Sequence, residues 1–130
     1  MSTRILSALC TATLEQLVSQ TPGIETAAIV TGDGFEVASV VRDDVSVEKL
    51  AAMVSSLLAL SEAVTAELRM SRCRDVIIDT ESGAVVTLRV PSHGHDLLMC
   101  VRCKQTVSLG SVLFAARDCV HGLARRLLPK

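Results

Sequence analysis

The stretch from Leu50 to Ala66 is the feature of this sequence that most restricts its fold. Its 17 residues carry a single charge, on Glu62, so a helix built from them has almost no face suited to water. The stretch is shorter than the roughly 20 apolar residues that a membrane span needs, and it includes several hydroxyl side chains. We therefore predict a helix covered by protein on most sides, in a soluble chain without membrane insertion.

The apolar residues of this helix recur at alternating spacings of three and four, which is the pattern of one helix packed against another. Ser46 is a suitable N-cap, and the periodicity predicts a helix that ends near Ser71. One flank can lie on the chain's own sheet, and the apolar surface that remains predicts self-association. A core helix covered entirely within one subunit is the alternative. The repeating positions are Val47, Leu50, Val54, Leu57, Ser61, Val64 and Leu68, flanked by Ala51, Met53, Leu58 and Leu60.

The rest of the chain predicts two further helices and five strands. Both helices are amphipathic, and the strands are β-rich runs separated by turn residues, which favours antiparallel pairing. Some strands are apolar on both faces, so we expect helices on both sides of the sheet. The pattern predicts one α+β domain over residues 4–128 in the order α-β-β-α-β-β-β-α. The expected outer helices span 4–20 and about 108–128, and the expected strands span 24–30, 35–41, 75–80, 84–90 and 97–103.

Composition excludes several classes of function. Thirteen lysines and arginines against fourteen aspartates and glutamates give a net charge of −1, which offers no basic field for nucleic acid. Two phenylalanines, with no tyrosine or tryptophan, leave few platforms on which bases or cofactors could stack. The five cysteines are odd in number and scattered through apolar stretches, unlike the framework of a secreted protein. We expect a cytoplasmic protein with no nucleic-acid partner and no cofactor.

The residues that could carry chemistry do not form a recognisable site. Cys100 and Cys103 have the spacing of a redox or zinc pair, but residues three apart on a strand point to opposite faces. His93 and His95, with Asp96, lie in a turn that supplies too few ligands for a closed metal site. No serine or cysteine lies in a nucleophile motif beside a base. The sequence therefore predicts neither an enzyme nor a metal site, and a thiol or metal sensor remains the alternative.

Arg69, Arg72 and Arg74 form a basic group at the end of the long helix. One interpretation is a favourable interaction of these cations with the negative end of the helix dipole. The other is an electrostatic contact with an acidic partner. We carry the three arginines forward as candidate partner-binding residues.

Three segments of the chain resemble the roadblock family. They are the run Pro22-Gly23-Ile24-Glu25-Thr26-Ala27-Ala28-Ile29-Val30-Thr31-Gly32-Asp33-Gly34-Phe35, the helix rich in alanine and serine from Leu50 to Leu60, and Ser108-Leu109-Gly110 opening a helix with Ala115-Ala116-Arg117. This family includes the dynein light-chain roadblock proteins and the bacterial gliding-motility protein B type regulators of Ras-like GTPases. The likeness extends from about Leu6 to Leu128.

The resemblance implies a five-stranded antiparallel sheet, with the middle helix on one face and the two terminal helices on the other. It also implies a homodimer formed through the middle helix and the edge strand that follows it. Family members are non-catalytic platforms that bind and regulate a Ras-like small GTPase, or scaffolds for another signalling or motor complex. Carried onto this chain, the dimer contact comprises Leu50, Val54, Leu57, Leu58 and Ser61 on the helix and Val76, Ile77 and Ile78 on the strand.

Overall fold

A computed structural model describes residues 2–42, 44–92 and 94–128. Each of its three helices begins at a serine whose hydroxyl accepts a hydrogen bond from the amide three residues later, namely Ser2, Ser46 and Ser108. The predicted element order is confirmed. The elements are α1 (Thr3–Gln20), β1 (Ile24–Thr31), β2 (Glu36–Val41), α2 (Val47–Glu67), β3 (Asp75–Thr80), β4 (Gly83–Arg89), β5 (Leu97–Lys104) and α3 (Leu109–Arg126).

The five strands form one antiparallel sheet in the order β2-β1-β5-β4-β3. β1 therefore pairs with β2 on one side and with β5 on the other, while β3 pairs with β4 and with no other strand among the described residues. This arrangement leaves β2 and β3 at the two edges of the sheet. The predicted fold class is confirmed.

The two faces of the sheet carry cores of different size. Ala27 and Ile29 of β1 point into the larger core, which packs against α1 and α3. Ala28 and Val30 point into the smaller core beneath α2. This alternation explains why β1 is apolar on both faces, and it confirms the expectation that helices cover both sides.

α2 packs on its face of the sheet through one narrow line of side chains. Ala51, Val54 and Leu58 are the residues of the helix that are buried. They contact a part of the sheet that includes Ala28 and Cys100, whose small side chains admit the helix closely. Most of the remaining surface of α2 is left uncovered by the chain itself.

α2 is longer than the 17-residue apolar stretch from which the sequence excludes a membrane span. α2 has 21 residues and contains an 18-residue window with a mean hydropathy of 1.4, so it is the one helix in the described ranges that is long and apolar enough to cross a membrane. Length and composition are weak evidence, because the core helix of a protein in water can meet both criteria. α2 packs on the sheet through Ala51, Val54 and Leu58, but only 17% of this apolar segment is buried within the chain.

The prediction that the long helix continues to Ser71 is wrong, because α2 ends at Glu67. Arg69 adopts the left-handed conformation with φ of 58°. Its amide donates to the Ala66 carbonyl at 3.0 Å, and the Met70 amide donates to the Thr65 carbonyl at 2.8 Å. This pair of hydrogen bonds is the Schellman ending of a helix, which usually places glycine where Arg69 stands. The sequence therefore lacked the glycine that signals a helix end.

Replacing Arg69 with glycine is expected to stabilise the fold. Glycine adopts the left-handed conformation without steric cost, so Arg69→Gly should raise the free energy of unfolding by about 0.5 to 1 kcal/mol in urea denaturation. Arg69→Ala is the matched control, because it removes the same charge but keeps a Cβ atom. If alanine and glycine had equal effects, the strain at this position would not be the cause.

Candidate functional site

One face of α2 presents a continuous line of exposed apolar side chains. We call Met53, Leu57, Leu60, Val64 and Leu68 the α2 stripe; they are spaced by four, three, four and four residues along the chain. Leu57 is half-buried, whereas Met53, Leu60, Val64 and Leu68 are between 51% and 67% exposed. Contiguous exposed apolar surface of this kind marks a site of interaction with another protein or a membrane.

The edge strand β3 lies beside this helix with one side unpaired. Ile78 is opposite Val85 and shares the α2 face of the sheet, whereas Ile77 is opposite Val86 and shares the other face. Both isoleucines are 42% exposed, and Val76 is half-buried beneath α2. An apolar edge strand with free backbone groups is suited to pairing with a further strand.

The helix residues carried over for the dimer contact differ in their exposure within the single chain. Val54 and Leu58 are each only 4% exposed and contact the chain's own sheet, so they are not available to a second chain. Leu50 is half-buried and packs against the same core, and Leu57 and Ser61 are half-buried. Because α2 carries apolar residues at helical spacing on more than one side, the spacing alone does not identify the side that faces the sheet. The exposed side consists of Met53, Leu60, Val64 and Leu68, with Leu57 at its margin.

The helix dipole interpretation requires basic side chains in the last turn of α2, and the arginines lie beyond that turn. Arg69 follows the helix end directly, but Arg72 and Arg74 come five and seven residues after Glu67, and the last turn contains no basic residue. Arg72 approaches Glu62 at 3.8 Å. The dipole interpretation is therefore wrong for Arg72 and Arg74, and all three arginines are exposed.

Glu62 has a structural role that the sequence did not indicate. This carboxylate is the single charge in the apolar stretch, and its Oε1 accepts a hydrogen bond of 2.7 Å from the Arg89 guanidinium. Arg89 lies at the end of β4, far from Glu62 in the sequence. The pair ties α2 to the sheet, and periodicity within one helix cannot reveal such a partner.

The cysteines are placed as structural residues. Cys100 lies in the core beneath α2 and Cys103 in the opposite core, which confirms that the two point to different faces. Burial, and then the nearby Cys119, raise the pKa of the Cys10 thiol to about 11. Burial, and then Asp118, raise the pKa of Cys119 to about 11 against the opposing effect of Arg126. Burial also raises the pKa of Cys100. A thiol is nucleophilic as the thiolate, so at neutral pH these three are in the unreactive form.

The turn histidines are only partly described. His95 is half-buried, and His93 lies outside the described residues. Among the residues that the structure describes, no three histidine, cysteine, aspartate or glutamate side chains come close enough to hold a metal ion.

The fold and this surface together define an α+β domain with an open sheet edge beside an exposed apolar helix. The sequence profile of the Roadblock/LC7 domain matches residues 11–102, and the chain belongs to this family. The suspected resemblance is thus confirmed. A comparison with curated proteins gave no match.

Solved structures show the same fold at low sequence identity. A Roadblock/LC7 domain from Streptomyces avermitilis is 17% identical, with a TM-score of 0.81, and the match covers 92% of this chain and 98% of that one. MglB from Myxococcus xanthus is 14% identical, with a TM-score of 0.84 and coverage of 95% and 93%. The gliding protein MglB from Thermus thermophilus is 20% identical, with a TM-score of 0.79 and coverage of 92% and 88%.

The raised thiol pKa values predict how stability depends on pH. A buried thiol whose pKa is raised from 9.0 to about 11 holds its proton more tightly in the folded state than in the unfolded state. Its contribution to the free energy of unfolding is therefore fully present below about pH 9 and is lost as the pH rises toward about 11. Cys119→Ala removes one such group. The full shift corresponds to about 2 kcal/mol at about pH 10.5, and solvent screening of this half-buried thiol reduces it. The excess stability of wild type over this variant should therefore fall by about 1 kcal/mol between neutral pH and about pH 10.5. Urea denaturation at both pH values measures it, and a difference that stays constant would contradict the assignment.

Proposed function

We propose that this chain is a non-catalytic homodimeric binding platform that regulates a Ras-like small GTPase in the cytoplasm. Membership of the Roadblock/LC7 family supports the proposal. The observation that carries it is the exposed α2 stripe beside the unpaired edge of β3.

The stripe and the edge can both be used in one contact. Ile78 lies on the same face of the sheet as α2, so two chains that pair through β3 also bring their α2 helices together. Such pairing turns two five-stranded sheets into one continuous sheet and removes the exposed apolar edge. The two interactions therefore support one two-fold dimer rather than two separate assemblies.

The polar residues of α2 are compatible with burial in this contact. The hydroxyl of Ser56, which lies beside the stripe, donates to the Ala52 carbonyl at 3.0 Å. Ser61 donates to the Leu57 carbonyl at 2.8 Å, and the Thr65 hydroxyl is likewise bonded within the helix. A hydroxyl that already donates a hydrogen bond within the helix costs little free energy to bury away from water. These small side chains also permit a close approach of two helices.

Regulation of the GTPase requires no catalytic group in this chain. A binding partner can order the switch loops of a GTPase and so place the GTPase's own catalytic residues. The exposed side chains of Arg69, Arg72 and Arg74 are proposed to contact acidic residues of that partner. Arg72 is the least available of the three for contact with a partner, because its guanidinium already approaches the Glu62 carboxylate.

Placing a charge on the α2 stripe is expected to separate the dimer. Leu60 is 65% exposed within one chain, so Leu60→Glu leaves the subunit core intact but places a carboxylate in the proposed interface. Sedimentation velocity should show a dimer for the wild type and a monomer for this variant. Ile5→Glu is the matched control, because Ile5 is 58% exposed on α1 and should leave the dimer unchanged. A wild type that sediments as a monomer would contradict the proposal.

The regulatory role is tested with a Ras-like GTPase from the same genome, loaded with GTP or GDP. We expect co-elution with one nucleotide state in preference to the other and a change in the rate of GTP hydrolysis when the chain is added. Leu60→Glu should reduce this effect, whereas Ile5→Glu should not. Binding that leaves hydrolysis and nucleotide exchange unchanged would favour the alternative, a scaffold for another signalling or motor complex.

A further inference from the structure

A second surface lies on the opposite side of the sheet, between α3 and the start of β3. One exposed side of α3 faces away from the core and carries Gly110, Phe114, Arg117, His121 and Arg125, at spacings of four, three, four and four. The segment 72–75 and the end of β4 lie across from it. Between them is an open cleft of about 970 Å³, which we call the arginine cleft.

The arginine cleft is positive in a chain whose net charge is −1. Five arginines and two aspartates line it, but the Arg89 guanidinium is bonded to Glu62 of α2 on the other face of the sheet. The other four arginines and the two aspartates give a formal charge of +2, with the lining histidine neutral. The lining charges are Arg72, Arg74, Arg89, Arg117 and Arg125 against Asp75 and Asp118.

Three of the five arginines are held by carboxylates of the chain. Arg117 donates to Asp75, whose side chain is only 10% exposed, so its guanidinium is fixed on the cleft wall. Arg89 is bonded to Glu62, and Arg72 approaches the same carboxylate. A guanidinium has five N–H donors, so a single carboxylate leaves some of them for another acceptor.

The other two arginines, Arg74 and Arg125, are exposed and form no ion pair with any residue in the described ranges. They therefore supply positive charge that the chain itself does not neutralise. Guanidinium groups bind carboxylates and phosphates in a planar, two-point geometry, and the exposed Phe114 on the same side of α3 favours an acidic protein segment over a phosphate.

The shape of the cleft favours an extended peptide. From Gly110 to Arg125 the helix rises about 22 Å, which matches about six or seven residues of extended chain. Phe114 is 76% exposed. It lies on the same side of α3 as Arg117, about one turn earlier, and as Arg125, about three turns earlier. The cleft thus offers an apolar contact followed by positive charge.

We propose that the arginine cleft binds an acidic segment of a partner protein, with its carboxylates on Arg74 and Arg125 and an apolar side chain on Phe114. This surface lies on the face opposite to the α2 stripe. Arg74 belongs to both proposals, but peptide binding is measured without the GTPase and does not require the dimer, so the two proposals can fail separately.

The test uses the full chain and a fluorescein-labelled peptide of about seven residues, glutamates with one phenylalanine near an end. We expect saturable binding that weakens as the NaCl concentration rises. The double variant Arg74→Glu with Arg125→Glu should lose affinity by about tenfold or more. The matched control is Arg4→Glu with Arg42→Glu, which makes the same charge change at exposed positions outside the cleft and should stay within about twofold of the wild type.

Phe114→Ala provides a second and independent measurement. It should weaken binding of the phenylalanine peptide several-fold and leave binding of an all-glutamate peptide unchanged, because only the first contacts the ring. Far-UV circular dichroism and sedimentation confirm that each variant keeps its fold and oligomeric state.

Three results would overturn the proposal. The first is the absence of saturable peptide binding to the wild type. The second is an equal loss of affinity in the two double variants, which would show that binding depends only on the overall charge of the chain. The third is tighter binding of a single-stranded oligothymidylate or inorganic phosphate than of the acidic peptide.

Discussion

The contact of α2 with the sheet is the constraint on which the rest of the structure depends. The described part of the chain has three helices and a sheet with two apolar faces, and two of the helices pack on the larger face. α2 therefore covers the other face alone. It does so through Ala51, Val54 and Leu58, held additionally by the Glu62–Arg89 pair. Because so few residues face the sheet, a helix that is apolar on nearly every side keeps an uncovered stripe.

Much of this fold follows from the sequence by elementary physical chemistry. The alternation of apolar residues in the strands, the serine caps and the turn residues are local signals, so they specify the order of elements and the need for helices on both faces. The opposite orientation of Cys100 and Cys103 follows from strand geometry in the same way. The arrangement of the helices on the two faces came from the resemblance to the roadblock family.

The parts that sequence reasoning missed depend on long-range contacts or on an uncommon backbone conformation. Helical spacing alone did not reveal that Val54 and Leu58, rather than Met53 and Leu60, face the sheet. The end of α2 was misplaced because Arg69 occupies a left-handed position that glycine usually marks. The arginine cleft was also invisible, because Arg74 and Arg125 are about 50 residues apart and belong to different elements.

The exchange of the β3 amides with solvent tests the central claim most directly, because the claim is that α2 and β3 together form a self-association surface. Hydrogen–deuterium exchange followed by NMR distinguishes the amides of β3 that point toward β4 from those that point away. The account predicts that the outward amides become protected as protein concentration rises and lose this protection in Leu60→Glu. Outward amides that exchange freely at every concentration, in a chain that remains folded, would contradict it.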